Sequence, residues 1–234
     1  MEQNDSNYSN DYSYEEESKV TMFDAWVTAL TSPNTEAYNK LGKATNASLA
    51  NGALWVLLAA IIGGVVSALL SAIFGASQLA LLSNVLGETG MDIPARTGSA
   101  AILSGIFCGA PVGAIIGTLG FLLSSVIENW LANLFGGKGT LDSYTFVNAS
   151  FTAPITLVST MLSPIPFIGG LFLFLLGIYS LFLSFINLRG VKQLSTGKAI
   201  LVILIPMIVA FILVGCLVLV FGAVIASAFS NFAS

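Results

Sequence analysis

Apolar residues along this chain do not alternate with polar ones. They gather into five long runs, at about 53–74, 99–127, 144–162, 167–187 and 199–226. About 20 apolar residues suffice to cross a bilayer as a helix, and four of the runs meet that plainly. The third, YTFVNASFTAPITLVSTML, is short and rich in Thr, Ser and Asn, and is also read as a span. Ahead of the first run, VTMFDAWVTAL puts Val20, Phe23, Trp26, Val27 and Leu30 on one helical face. Thr21-x-x-Asp24 has the spacing of a capping box. Ser32-Pro33 predicts the N-cap and first residue of a second short helix, with Glu36 and Lys40 spaced as an i,i+4 pair. The pattern predicts an all-α polytopic membrane protein: a bundle of five transmembrane helices with N-terminal interfacial amphipathic helices.

Composition supports that reading. The 234 residues are 56% hydrophobic and only 9% charged, where a soluble domain carries about 25% charge. The first apolar run starts behind an acidic tail and not behind a short basic region, so it reads as a retained anchor and not a signal peptide. Residues 1–18 hold six acidic and no basic side chains. With so few aliphatics they predict a disordered acidic tail, whose Tyr8, Tyr12 and Tyr14 are candidates for docking or modification. Residues 19–49 then form the interfacial helices, and 50–228 the membrane domain. Trp55 is expected at the interface where the first span begins.

Lysine and arginine orient the spans. With the N-terminus in the cytoplasm, Lys19, Lys40, Lys43, Lys138, Arg189, Lys192 and Lys198 lie inside and only Arg96 outside. That bias predicts N-in, C-out. The outer loop, 75–98, holds a weak amphipathic stretch (Leu79, Leu82, Val85, Leu86) ended by GETG and Pro94. SPIPF (163–167) predicts a tight outer hairpin.

Two spans carry small residues at every fourth position: Gly63, Ser67, Ser71 and Gly75 in the first, Gly105, Gly109, Gly113 and Gly117 in the second. Glycine costs about 1 kcal/mol relative to alanine in a helix interior. Close pairing of spans one and two through these faces is the economical reason for accepting it. The alternative is a conduit, with a polar path along Thr145, Asn148, Thr152, Thr156 and Ser159 of the third span. Pro111, Pro154 and Pro206 lie inside spans and predict bends. Cys108 falls about ten residues into the second run, which places it near mid-bilayer.

Catalytic chemistry has little to work with. The chain has no histidine and no mid-span aspartate, and its two cysteines, Cys108 and Cys216, fall in spans. No catalytic residue, cofactor or metal is therefore expected, and no nucleic acid as partner. Glu128 near the end of the second span is read as reaching solvent. GGKG (136–139) lacks the Ser/Thr and context of a phosphate loop and reads as a short flexible connection. Arg189, Lys192 and Lys198 read as topology determinants attracted to anionic headgroups.

Several segments together resemble the Yip1 domain family. They are WVTALTSPNTEAY before the first span, the Gly-Gly-Lys-Gly loop, SFTAPITLVSTML, and SPIPFIGGLFLFLLGIYSLFLSFINLRGVKQLSTGKAILVILIP, within about 22–222. The resemblance implies a compact five-helix membrane protein with a cytoplasmic N-terminal region. Eukaryotic members work in ER–Golgi traffic and associate with Rab-type GTPases and each other. Prokaryotic relatives are largely of unknown function. The family's Asp-Leu-Tyr-Gly-Pro element is replaced here by AWVTALTSPN, so GTPase binding is not carried over, and a prokaryotic cell membrane is favoured over ER/Golgi. The expected role is a non-enzymatic scaffold or adaptor. Its partners are the lipid bilayer, a cytoplasmic protein bound through residues 1–49, and other copies or relatives in an oligomer. Phe23, Trp26 and Pro33 are its candidates for interface docking. A small-solute channel or permease is the alternative.

Overall fold

A computed structural model describes residues 18–86, 103–165 and 168–232. Tyr8, Tyr12, Tyr14, GETG, Pro94, Arg96, Pro166 and Phe167 lie outside them. Among the described residues all regular elements are helical. They are α1 (Met22–Thr31), α2 (Thr35–Gly42), α3 (Leu49–Leu86), α4 (Gly105–Leu134), α5 (Leu141–Leu162), α6 (Ile168–Gly190) and α7 (Thr196–Phe232). Helices α3 to α7 are long and apolar enough to cross a membrane.

Local chemistry sets the boundaries. Thr21 caps α1, its Oγ1 accepting from Asp24 N at 3.2 Å. The cap of α2 is Asn34 and not Ser32, since Asn34 Oδ1 accepts from Ala37 N at 2.8 Å. Pro33 therefore sits in the turn. The amphipathic stretch after the first run is no separate element: α3 continues unbroken through Leu79 and Leu82 to Leu86. Helices α5 and α7 run through Pro154 and Pro206 without interruption. At Pro111, which lacks an N–H and crowds the carbonyl four residues back, the backbone differs. Gly105–Gly109 is a π-helical turn, and Ala110 N donates to Gly105 O, five residues back. Because α4 extends to Leu134, Cys108 stands about 39 Å from that end by helical rise. It is therefore near the far end of the span and not at its middle.

The least apolar run is the most enclosed. Half of the most apolar stretch of α5 is buried, against 6% for that of α7, because polar side chains facing lipid would lack partners. Helix α5 packs chiefly on α3. Gly52 lies against Thr145, Phe146 and Ala149, and Gly63 against Thr160 and Leu157. The near-constant offset shows that the two helices run parallel. Between them Trp55 is buried, its ring 4.7 Å from that of Phe146. It is a core residue and not an interface anchor.

The expected pairing of the two small-residue ladders is not what the chain makes. Gly63 and Ser67 face α5; Ser67 Oγ lies 3.5 Å from Ser163 Oγ. Ser71 is exposed, and Gly75 falls in the same helix with its surroundings outside the description. Contact with α4 is one position along, where a Cβ on Gly64 would stand 2.9 Å from Ala110 Cβ. On α4 the buried face is Ala110, Ala114, Thr118, Phe121 and Ser125. Gly105 approaches Ala68, but Gly113 and Gly117 have nothing within 4 Å of an added Cβ, and Gly109 only a carbonyl of its own helix. Each glycine is about 100° of helical turn from the residue that packs, so the glycine face points outward.

Candidate functional site: the polar end of the bundle

Residues 19–48 and the loops after α4 and α6 gather at one end of the bundle. Asn39 Nδ2 donates to Gly190 O at 3.0 Å, and Lys138 N to Lys192 O at 2.9 Å. Beneath these loops α4, α5 and α6 bring polar side chains together. Asn148 Nδ2 donates to Ser125 Oγ at 3.1 Å, and the Tyr144 hydroxyl donates to the Glu128 carboxylate. Asn187 Nδ2 donates to Tyr144 O at 3.3 Å. Glu128 is thus bound within the bundle instead of being solvated, because α4 continues two turns beyond the expected end of the span.

The loop after α4 is pinned, not flexible. Gly136 and Gly139 have φ of 84° and 74°, a region costly to residues with a Cβ. Gly137 N donates to Ala132 O at 2.8 Å. Lys192 is fully buried and donates from Nζ to Gly139 O at 2.7 Å and to Asn133 Oδ1 at 3.0 Å. Burial pushes its pKa from 10.5 down to about 8. Lys198 Nζ donates to Phe135 O at 2.8 Å, and the Arg189 guanidinium lies 5.6 Å from the Phe185 ring centre. The three cations expected to form a headgroup-binding patch are each engaged by the protein, and Lys192 is an internal brace.

Of the expected polar path, Thr145 and Asn148 are buried within the packed bundle, while Thr152, Thr156 and Ser159 are half-buried. Thr152 Oγ1 donates to Asn148 Oδ1 at 3.4 Å. The outward glycines of α4 do not share a face with this stripe. Buried oxygens of Thr118, Asn129, Thr145 and Asn187 have no hydrogen-bond partner. Among the described residues no three His, Cys, Asp or Glu side chains cluster as metal ligands, and Cys108 and Cys216 are exposed on the bundle surface. What this arrangement does chemically is hold helix ends and loops in register.

On α1 the packed residues are Ala25 and Ala29, with Val20, Trp26 and Leu30 partly buried against the core. Phe23 is 70% exposed and Val27 is exposed beside it, so the five apolar residues expected on one face divide between two. A groove of about 620 Å³ lies between α1 and α2, lined by Lys19, Asp24, Glu36, Lys40 and Lys43 among others. Sequence reading missed the Glu128–Tyr144 pair. The signal was present: a tight turn at 135–140 sets an antiparallel register in which 128 faces 144 and 125 faces 148.

No curated protein and no solved structure matches the chain. The family model of the Yip1 domain matches residues 27–219. That match takes in α2 to α6, the end of α1, most of α7 and the pinned loops that join them, and the chain belongs to the Yip1 domain family.

Proposed function

We propose that this chain is a non-enzymatic membrane scaffold or adaptor that works from its N-terminal end. One observation carries the reading: α1 and α2 are fixed to the bundle by specific hydrogen bonds and not merely tethered. Tyr179 OH donates to Leu30 O at 2.6 Å and Asn39 Nδ2 to Gly190 O at 3.0 Å, while Tyr38 OH, donating to Ala29 O at 2.9 Å, and Asn46, paired with both backbone groups of Val20, hold the N-terminal segment together. A rigid mount of this kind suits presentation of the acidic segment 1–18 and the charged α1–α2 groove to a partner. Seven of the eight basic residues belong to this end, which supports a cytoplasmic N-terminus. Phe23 and Pro33 are the docking residues, with Trp26 supporting them from the core side.

Deleting residues 1–18 from the chain in its native membrane should change the proteins crosslinked to it while insertion and abundance stay the same. An unchanged crosslinking pattern would count against the adaptor. The solute-path reading is disfavoured by the buried Asn148–Ser125 contact, which commits Asn148 of the stripe to internal packing.

A further inference from the structure

The backbone ahead of α1 is held at a fixed point. Asn46 accepts from Val20 N at 3.1 Å and donates to Val20 O at 2.9 Å. Residue 20 is thereby tied beside the end of α2, where Lys43 is the C-cap. Just ahead of it, Ser18 and Lys19 line the groove between α1 and α2, together with Lys40 and Lys43. Residues 1–17, outside the described residues, therefore join the chain at that groove. Its volume, about 620 Å³, is in the range of clefts that enclose a bound ligand.

Charge is matched across this junction. Residues 1–17 carry six carboxylates and no basic side chain, with Asp11, Glu15, Glu16 and Glu17 nearest the groove in sequence. Lys19, Lys40 and Lys43 are all exposed, and neither the Lys19 nor the Lys43 ammonium pairs with another described residue. The acids of the groove are Asp24 and Glu36. Each stands in the first turn of its helix, where the positive end of the helix dipole offsets a carboxylate. Asp24 also accepts from the Thr21 hydroxyl at 2.6 Å. Seven extended residues, 11–17, span about 24 Å, twice the roughly 12 Å that α2 measures by helical rise. They reach every lysine of the groove.

From this placement we infer that the acidic segment docks in the α1–α2 groove of its own chain, with Asp11, Glu15, Glu16 and Glu17 against Lys19, Lys40 and Lys43. Exposed ion pairs are individually weak, but the short tether holds the carboxylates at an effective concentration on the order of millimolar. The contact is reversible and sensitive to salt. A partner that enters the groove must displace the segment. The docking thus regulates the end that the adaptor reading assigns to partners, and it rests on that reading only for this consequence.

The test uses the full, unsubstituted chain in phosphatidylcholine vesicles, as a mixture of unlabelled and isotope-labelled protein. A carbodiimide joins carboxylates directly to amines in contact with them. Links from residues 11–17 to Lys40 and Lys43, within one isotopic copy, should outnumber several-fold those to Lys138, which is exposed at the same end of the bundle. At about 1 M salt, where the screening length falls to about 3 Å, they should drop several-fold. Equal linking to Lys138, or no drop with salt, would overturn the docking. Links mainly between the two isotopic copies would overturn it by placing the segment on a second chain.

A spin label gives the second readout, attached through Tyr14→Cys in a chain with Cys108→Ser and Cys216→Ser. Its motion should be restricted at low salt, freed to the high-salt level by Lys40→Gln with Lys43→Gln, and unaltered by Lys138→Gln. All three lysines are exposed, so these changes leave the packed bundle intact. A label as mobile at low salt as at high salt would overturn the inference. Neither readout contains a partner, so the docking can fail while the adaptor's crosslinking test succeeds, and the reverse.

Discussion

Asn148 of α5 donates to Ser125 of α4 at 3.1 Å, and one helical turn nearer the connecting loop Tyr144 of α5 donates to Glu128 of α4. The two pairs are successive rungs of one antiparallel ladder whose register is fixed by the loop at 135–140. Tyr144→Phe leaves a partly buried carboxylate without its donor, and loss of such a partner costs about 1–3 kcal/mol. Ser125→Ala removes a neutral acceptor and is expected to cost about 1 kcal/mol. Thermal unfolding in detergent should rank the variants in that order.

Gly63 and Gly113 look equivalent in the sequence and are not equivalent in the fold. A Cβ on Gly63 would overlap the Thr160 hydroxyl, whereas Gly113 has open space. Gly63→Leu should destabilise by about 1–3 kcal/mol or more through overpacking, and Gly113→Leu should stay within about 0.5 kcal/mol of the parent. Parallel melting curves check this, and equal losses at both positions would contradict the packing described.

Lys192 gives a pH dependence of defined sign. Its folded pKa, about 8, lies below the ordinary 10.5. Between those values the unfolded chain binds more protons than the folded one, so stability rises with pH across that window. Lys192→Met abolishes the rise and leaves Gly139 O and Asn133 Oδ1 without their donor. The melting-temperature difference between wild type and Lys192→Met should shift in favour of wild type from pH 8 to pH 10. A flat difference would show that the amine titrates normally.

Tyr179 joins the middle of α6 to the end of α1 through a bond of 2.6 Å. Tyr179→Phe should cost about 1–3 kcal/mol by leaving the Leu30 carbonyl unpaired. It should also speed proteolysis at residues 25–35 more than proteolysis in the α4–α5 loop. Uniform acceleration at both sites would mean that Tyr179 supports the bundle generally.

The long apolar runs made five spans legible, since length and hydropathy alone decide them. The Thr21 cap was equally legible, because it depends on residues three apart. Asn34 displaced Ser32 as the cap of α2 through an equally local competition, in which the residue nearer the helix supplied the acceptor. Which glycine face packs was not legible. Gly63 and Gly64, or Gly109 and Ala110, differ by about 100° of rotation, and only the tertiary arrangement chooses between them. Lys192 was read as a surface cation because its partners, Asn133 at the end of α4 and Gly139 in the loop after it, are more than fifty residues away. Glu128 was misread for want of the α4 extension to Leu134, which carries it back into the bundle beside Tyr144.

We propose a closed, internally packed bundle that works from its polar end and is not a path for solutes. Thr152 tests it most directly, being half-buried on the polar stripe and about 16 Å into α5 from Leu141 by helical rise. In a chain carrying Cys108→Ser, Cys216→Ser and Thr152→Cys, intact membranes are treated with a small, membrane-impermeant thiol reagent and compared with detergent-denatured protein. A closed bundle is labelled only after denaturation. Rapid labelling in the intact membrane would show water at the stripe and contradict it.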